Sequence, residues 1–434
     1  MYARKLLLCL ILVSVCLFGA QTLAAQALTC DGAVDYAAEG AELYTAGDYG
    51  AAVDAYYCAL DSEPLNTDYL LARAESAVLS GRYMDFWHPY DVLATYFPEV
   101  LTARLEELRA QHEANPAALD TLLLSVTTSF YVADPEEYEE NLHMLLQAAP
   151  DNAFANVLQG EDMFSLEGDF EAARPYYERA LELGSENAHI WGWVGNDYAS
   201  GGELDLALEY LNHAIELSPN TAKFYQIVSE TQFNYIGDRE ASVPPALRAV
   251  ELDPNDWILI VNLVIMANDD ELSAADAAPL LDRLVALLPE GTRLVSVFRM
   301  LGYHKLGDDA MAAAELARYS DINSESVTDG GGITSDHTSE GEMTYGQVLR
   351  YTIPLAEGES IMVQARNPEA VINPIIAIIS PAGEGVAMSD DLGAEVDYAT
   401  SAMFTAAETG TYTVFVTHDY FMEDGTIEVS IEDS

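Results

Sequence analysis

The sequence predicts a multidomain α + β chain, in which an all-α solenoid of helical hairpins precedes an all-β sandwich. Three observations carry this expectation. Prolines close helical patterns at Pro64, Pro98, Pro150, Pro219, Pro254 and Pro289, with gaps of 34, 35 and 35 residues for 64 to 98, 219 to 254 and 254 to 289. Glycines keep the same beat in mid-unit, at Gly47, Gly81, Gly168, Gly202 and Gly237. From about Met343 onward the apolar spacing changes to strict alternation, the mark of strands. A period in the thirties means stacked units, none of which can bury its own apolar face alone.

Residues 1–27 read as an export signal. Arg4-Lys5 precede an apolar run from Leu6 to Phe18, which is short for a membrane-spanning helix. Ala24-Ala25-Gln26-Ala27 then offers a small-residue cleavage site after Ala27. Val13-Ser14-Val15 lack the small residue a lipoprotein signal places before its cysteine, here Cys16. An uncleaved anchor stays open as the alternative. The expected location is extracytoplasmic: secreted, periplasmic or on the cell surface.

Residues 28–320 hold the repeats. The most regular unit runs from Ala188 to Asn220, with Trp191, Val194-Gly195, Tyr198, Gly202, Ala207, Leu211, Ala214 and Pro219. This pattern resembles the tetratricopeptide repeat family. Gly195 and Ala207 allow close approach of the two helices, Gly202 permits the turn, and Pro219 stops the second helix. Units at Phe154–Asn187 and Ala33–Asn66 repeat it. Weaker copies fall at 67–100, 119–152, 223–256 and 258–291, 101–118 reads as an inserted helix, and a last pair near 292–319 is expected to cap the array. Within the first unit Cys30 precedes the first helix and Cys58 lies near the end of the second. Those ends are neighbours in an antiparallel pair, so a Cys30–Cys58 disulfide is expected in an oxidising compartment.

Residues 321–342 are polar and glycine-rich and read as a flexible linker. Residues 343–434 then carry short strands broken by Gly, Pro and Asp turns. Tyr351, Pro354 through Gly358, Ser380-Pro381-Ala382-Gly383, Asp390-Asp391, Thr405 and Thr409-Gly410-Thr411-Tyr412 are similar to the pre-peptidase C-terminal domain family. The resemblance implies a jelly-roll-like accessory module, some members of which bind Ca²⁺ or matrix polymers. Asp390 and Asp391, with Glu395 and Asp397 nearby, offer the oxygen ligands that Ca²⁺ requires, although an Asp turn capping its own backbone is the favoured reading of the pair. No other cofactor is expected.

Charge and motifs narrow the function. With 72 Asp+Glu against 18 Lys+Arg, the net charge is −54, which opposes nucleic acid and anionic membrane surfaces as partners. HExxH, GxSxG, CxxC and P-loop patterns are absent, and the eight histidines are scattered. No enzyme is expected. The resemblance to tetratricopeptide repeats implies ligand contacts from the first helix of each unit, which selects Asp162, Ser165, His189, Asn196, Ser200, Thr231, Asn234 and Tyr235. A protein or peptide partner, uncharged or basic, fits such a groove. The alternative is an accessory protein that binds polysaccharide or matrix through a Ca²⁺-linked sandwich.

Overall fold

The computed structural model describes residues 28–433 apart from 29, 133–134, 267–271, 289–298, 301, 305–306, 323–325, 335–337, 345–346, 369–373, 390–398 and 419–424. Two compact units divide between Leu259 and Ile260.

The first unit is built from helical hairpins in sequence order. α1 (Tyr36–Ala46) pairs with α2 (Tyr49–Ser62), and α3 (Thr67–Ser80) is followed by a 3₁₀ turn (Tyr83–Phe86) and α4 (Trp87–Tyr96). The inserted helix expected at 101–118 is α5 (Pro98–Ala114), opened by Pro98 in its first turn. The pairs α6 (Leu119–Val132) with α7 (Pro135–Ala148), α8 (Ala153–Glu167) with α9 (Phe170–Leu183), and α10 (Ala188–Ser200) with α11 (Leu204–Leu217) follow. In the last pair, α12 (Ala222–Glu230) runs into a π turn (Thr231–Ile236) before α13 (Arg239–Leu252).

The turn chemistry explains the beat of the sequence. Gly47, Gly168 and Gly237 end the first helix of their pairs at φ values of 80°, 67° and 76°, a region that L side chains avoid. The aspartates that follow them, Asp48, Asp169 and Asp238, cap the second helix by accepting from the amides of Ala51, Ala172 and Ala241. Two adjacent residues thus end one helix and start the next. Inside the hairpin α10–α11, a Cβ on Gly195 would lie 2.9 Å from Leu211 Cγ and 3.3 Å from the Ala207 carbonyl oxygen. The close approach read from the sequence is present.

The array curls on itself, which the sequence did not indicate. Met84 N–H donates to His189 Nδ1 at 3.1 Å, and Asn187 Nδ2 donates to the Gly81 carbonyl at 3.1 Å. Asn255 Nδ2 reaches Asp61 Oδ1 at 3.3 Å, across 194 positions. Arg73 stands 3.7 Å from Asp253. The groove expected along the inner face therefore includes a cavity lined by residues from both ends of the array, Val53 and Arg73 with Asp253 and Asp256. Cys30 and Cys58 are disulfide-bonded, with Cα atoms 5.4 Å apart.

The helix α14 (Trp257–Met266) contains the division, and the second unit goes on with α15 (Ala274–Leu287), α16 (Asp309–Ile322) and two sheets. One sheet has the strand order β1 (Val327–Gly332), β3 (Val348–Leu355), β8 (Gly410–His418), β5 (Pro374–Ile379), β6 (Gly385–Ser389). The other has β2 (Ser339–Met343), β9 (Gly425–Asp433), β4 (Ser360–Arg366), β7 (Ala399–Thr405). Apolar side chains from both sheets form one core that includes Tyr351, Val363, Ile376, Ile378, Val414 and Val429. Tyr412 is buried, and its hydroxyl donates to the Glu408 carbonyl at 3.2 Å. This ties Tyr412 to the turn that joins β7 to β8.

Two expectations are corrected here. The segment 321–342, read as a flexible linker, contains β1 and all of β2 but its last residue, Met343. Its Gly330 lies under the Tyr351 ring, whose Cε1 would be 2.1 Å from a Cβ there, and Gly331 has φ 79°. Those glycines serve a bulge between β1 and β3, not chain flexibility. The region near 292–319, read as a cap on the array, ends in α16, which packs on the five-stranded sheet. Ala312, Ala313, Leu316 and Tyr319 meet Ile375, Ala377, Ile379, Met388 and Phe415. All six residues of β5, PIIAII, are buried because the sandwich core covers one face and α16 the other.

Candidate ligand-binding surface of the helical array

The inner face of the first unit carries two cavities of different chemistry. The larger, of 420 Å³, collects basic side chains from an otherwise acidic chain. Arg82 lies between Asp54 at 2.6 Å and Asp85 at 2.5 Å, and His88 Nδ1 is 3.2 Å from Asp256. Arg73 lies over the Tyr57 ring at 5.0 Å, and Lys223 over the Trp87 ring at 5.3 Å. Burial opposes ionisation of Asp85, yet the Arg82 guanidinium, with Arg73 behind it, wins and holds its carboxyl below the usual range. Asp253 goes the other way, because burial outweighs Arg73. This cavity is thus largely self-neutralised.

The smaller cavity, of 60 Å³, is lined by Phe86, Trp87, Phe130, Tyr131, Trp193 and Glu161 among its residues. The Phe86 centroid lies 5.7 Å from Trp193 and 6.4 Å from Tyr131, and Trp87 meets Trp193 edge-on at 5.0 Å. Phe130, 47% exposed, stands at its rim. Glu161 Oε2 has no hydrogen-bond partner among the described residues. Burial, then the charges of Asp197 and Asp162, push its carboxyl well above the usual range. Asp197 is raised with it, again through burial.

That pair gives the stability a pH dependence of known sign. Both carboxyls hold protons in the folded chain at pH values where the unfolded chain has released them. The stabilisation is present at low pH and is lost as pH rises from about 4 through the raised folded values. The variant Glu161→Gln should therefore gain on the wild type by on the order of 2 kcal/mol between pH 5 and pH 8. Urea unfolding followed by tryptophan fluorescence at both pH values checks this, and a constant difference between the two proteins would contradict it.

The residues selected from the sequence divide into three groups. Ser200 and Asn234 are exposed, as is Tyr235, whose hydroxyl lies 3.2 Å from Ser200 Oγ. Asp162 and Asn196 are partly buried; Asp162 accepts from Gln159 Nε2 at 3.5 Å, and Asn196 Nδ2 donates to Asp197 at 3.2 Å. Thr231 is buried and requires correction as a groove residue, whereas His189, also buried, lines the larger cavity. His189 is used in fixing Met84, and burial lowers it to about 4, so it is neutral. Thr231 is fully buried and donates to its own helix at Ile227 O, 2.7 Å away. The side chain of Ser165 and both Asp390 and Asp391 lie outside the described residues. Among the described residues no cluster of His, Cys, Asp and Glu is placed to hold a metal ion.

Sequence reasoning passed over the aromatic cavity. Its signal was the dense run Tyr83–Tyr90, YMDFWHPY, where the regular hairpin pattern gives way to the 3₁₀ turn. Glu161 was hidden among 72 acidic residues.

The tetratricopeptide repeat model matches residues 162–186 and 188–221. Those two segments are tetratricopeptide repeats. They span the last turns of α8, from residue 162, with α9, and the whole of α10 with α11. Among solved structures, the chain is similar to one titled as a functional characterisation of Pseudomonas aeruginosa pilF, at 15% identity over 48% of this chain and 92% of that one, with a TM-score of 0.40. It is similar to PilW, described as a type IV pilus biogenesis factor, at 16% identity over 47% and 93%, with a TM-score of 0.36. The pre-peptidase C-terminal domain of a Bacillus anthracis collagenase is similar at 23% identity over 24% and 94%, with a TM-score of 0.20. No curated protein matches the chain. Nothing functional follows from likenesses at this level. Among the described residues no helix is long and apolar enough to cross a membrane.

Proposed function

We propose that this protein is an exported, non-catalytic scaffold that holds a polypeptide partner against the inner face of its helical repeats, with the β-sandwich as an accessory module. The carrying observation is the pair of matched repeats, 162–186 and 188–221, inside a longer run of hairpins that share their turn chemistry. Its mechanism is surface complementarity on a preformed face, with no bond made or broken. The Cys30–Cys58 disulfide supports an oxidising compartment, hence export. The charge of −54 favours an uncharged or basic partner and disfavours nucleic acid and anionic membranes.

Site-specific photocrosslinking tests this reading. A photoreactive residue replacing Tyr235, which is half exposed beside Ser200, should capture a discrete polypeptide in the source cells' envelope. The same residue replacing the exposed Glu216 on α11 should not. Equal capture at both positions, or capture at neither, would refute the scaffold.

A further inference from the structure

The chain uses one arrangement twice with its own arginines. Arg73 lies over the Tyr57 ring and faces Asp253 at 3.7 Å. Arg174 lies 5.3 Å from the Phe170 centroid and 5.5 Å from that of Tyr198, while its guanidinium pairs with Glu171 and Glu203. Each site joins an aromatic face, a carboxylate and a cation, in which ring quadrupole and carboxylate attract the same charge.

The small cavity repeats two of these three parts. Phe86, Tyr131 and Trp193 form its walls; the Trp193 side chain hydrogen-bonds the Glu161 carboxyl, whose Oε2 has no hydrogen-bond partner among the described residues. The described charges that act on Glu161 are those of Asp162 and Asp197, both acidic. Lys223 covers the Trp87 ring at 5.3 Å, but it is not among the groups that act on Glu161. The volume of 60 Å³ exceeds the roughly 10–15 Å³ that one water requires. That is room for a side-chain head group, and too little for a whole cofactor. Phe130 at the rim stays half exposed, edge-on to Tyr131 at 5.3 Å and to Tyr138 at 5.6 Å.

We infer that this cavity is a socket for one cationic side chain, arginine or lysine, of the partner polypeptide, with Phe86, Tyr131 and Trp193 as its walls and Glu161, which releases its proton to solvent as the cation enters, as its counter-charge. The inference rests on the scaffold reading and adds to it the chemistry of one anchor residue. Both members of the ligand class bring a positive charge on an apolar stem. The stem suits the aromatic walls, and the charge suits the carboxylate.

The protein has four tryptophans, so their indole N–H signals in the ¹⁵N-labelled full chain are few enough to follow singly. The probes are the amides of N-acetyl-arginine and N-acetyl-lysine. Their neutral counterparts, the amides of N-acetyl-citrulline and N-acetyl-norleucine, are the controls. Both cationic probes should shift the Trp193 signal saturably, while Trp191 and Trp257 stay in place. The variant Glu161→Gln, with an unchanged circular dichroism spectrum, should raise the Kd at least about fivefold. Three results would overturn the socket: a Trp193 signal that no cationic probe moves, neutral probes that bind as tightly, or a Kd that ignores Glu161→Gln. If Glu161→Gln does not fold, the wild-type comparison of arginine with citrulline decides alone. Continued crosslinking from position 235 alongside a silent Trp193 would remove the socket and leave the scaffold standing.

Discussion

Replacing Gly385 with alanine is expected to strip α16 from the five-stranded sheet. A Cβ at this position would lie 1.8 Å from the Ala310 carbonyl oxygen and 3.0 Å from the Ala314 amide nitrogen, both backbone atoms of α16. A flexible side chain can turn aside, whereas a helix backbone can only move as a body. The helix would have to withdraw, opening the contact of Leu316 and Tyr319 with Ile375, Ile379 and Phe415. Overpacking of this kind costs about 1–3 kcal/mol, and a backbone clash belongs at the upper end. Hydrogen exchange should show amides of β5, β6 and α16 losing protection together. All four tryptophans precede Ile260, at positions 87, 191, 193 and 257, so the fluorescence-detected unfolding of the first unit should be unchanged. Unaltered exchange in β5 and β6 would mean that α16 does not hold this sheet.

The second large effect is expected at the N-terminal end of the array. The Cys30–Cys58 bridge closes a loop of 28 positions. In the chain-entropy account, a loop of that length stabilises the folded state by about 3–4 kcal/mol. Cys58 is buried among Ala55, Tyr56, Ala59 and Leu60 on α2, so serine there would also leave a hydroxyl in an apolar site. Reduction of the wild type isolates the bridge from that packing change. Reduced protein should lose the α1–α2 hairpin first, seen as early proteolysis within residues 30–62, and its urea midpoint should fall. Equal midpoints for oxidised and reduced protein would remove the bridge as a stabilising element.

Much of the helical unit was legible because its signals are local. A mid-unit glycine specifies a left-handed helix end, so Gly47, Gly168 and Gly237 marked their turns before any contact was known, and the aspartate after each starts the next helix. The disulfide was legible for the same reason, since hairpin geometry fixes which helix ends meet. Thr231 was misjudged because facing inward along a helix does not distinguish a groove from a packed seam. The π turn at 231–236 decided that position.

The sequence by itself determined the hairpins, their order, the strand-rich C-terminal part and the acidic surface, because short-range spacing and charge are properties of the chain alone. Only the tertiary structure decided that the array closes from Asp61 to Asn255, that α16 belongs to the sheet it covers, and that the glycines at 330 and 331 make a bulge. It also decided that Phe86, Tyr131, Glu161 and Trp193 line one cavity. These depend on how far each hairpin rotates on the one before it, a small angle that accumulates over many repeats and that no local pattern encodes.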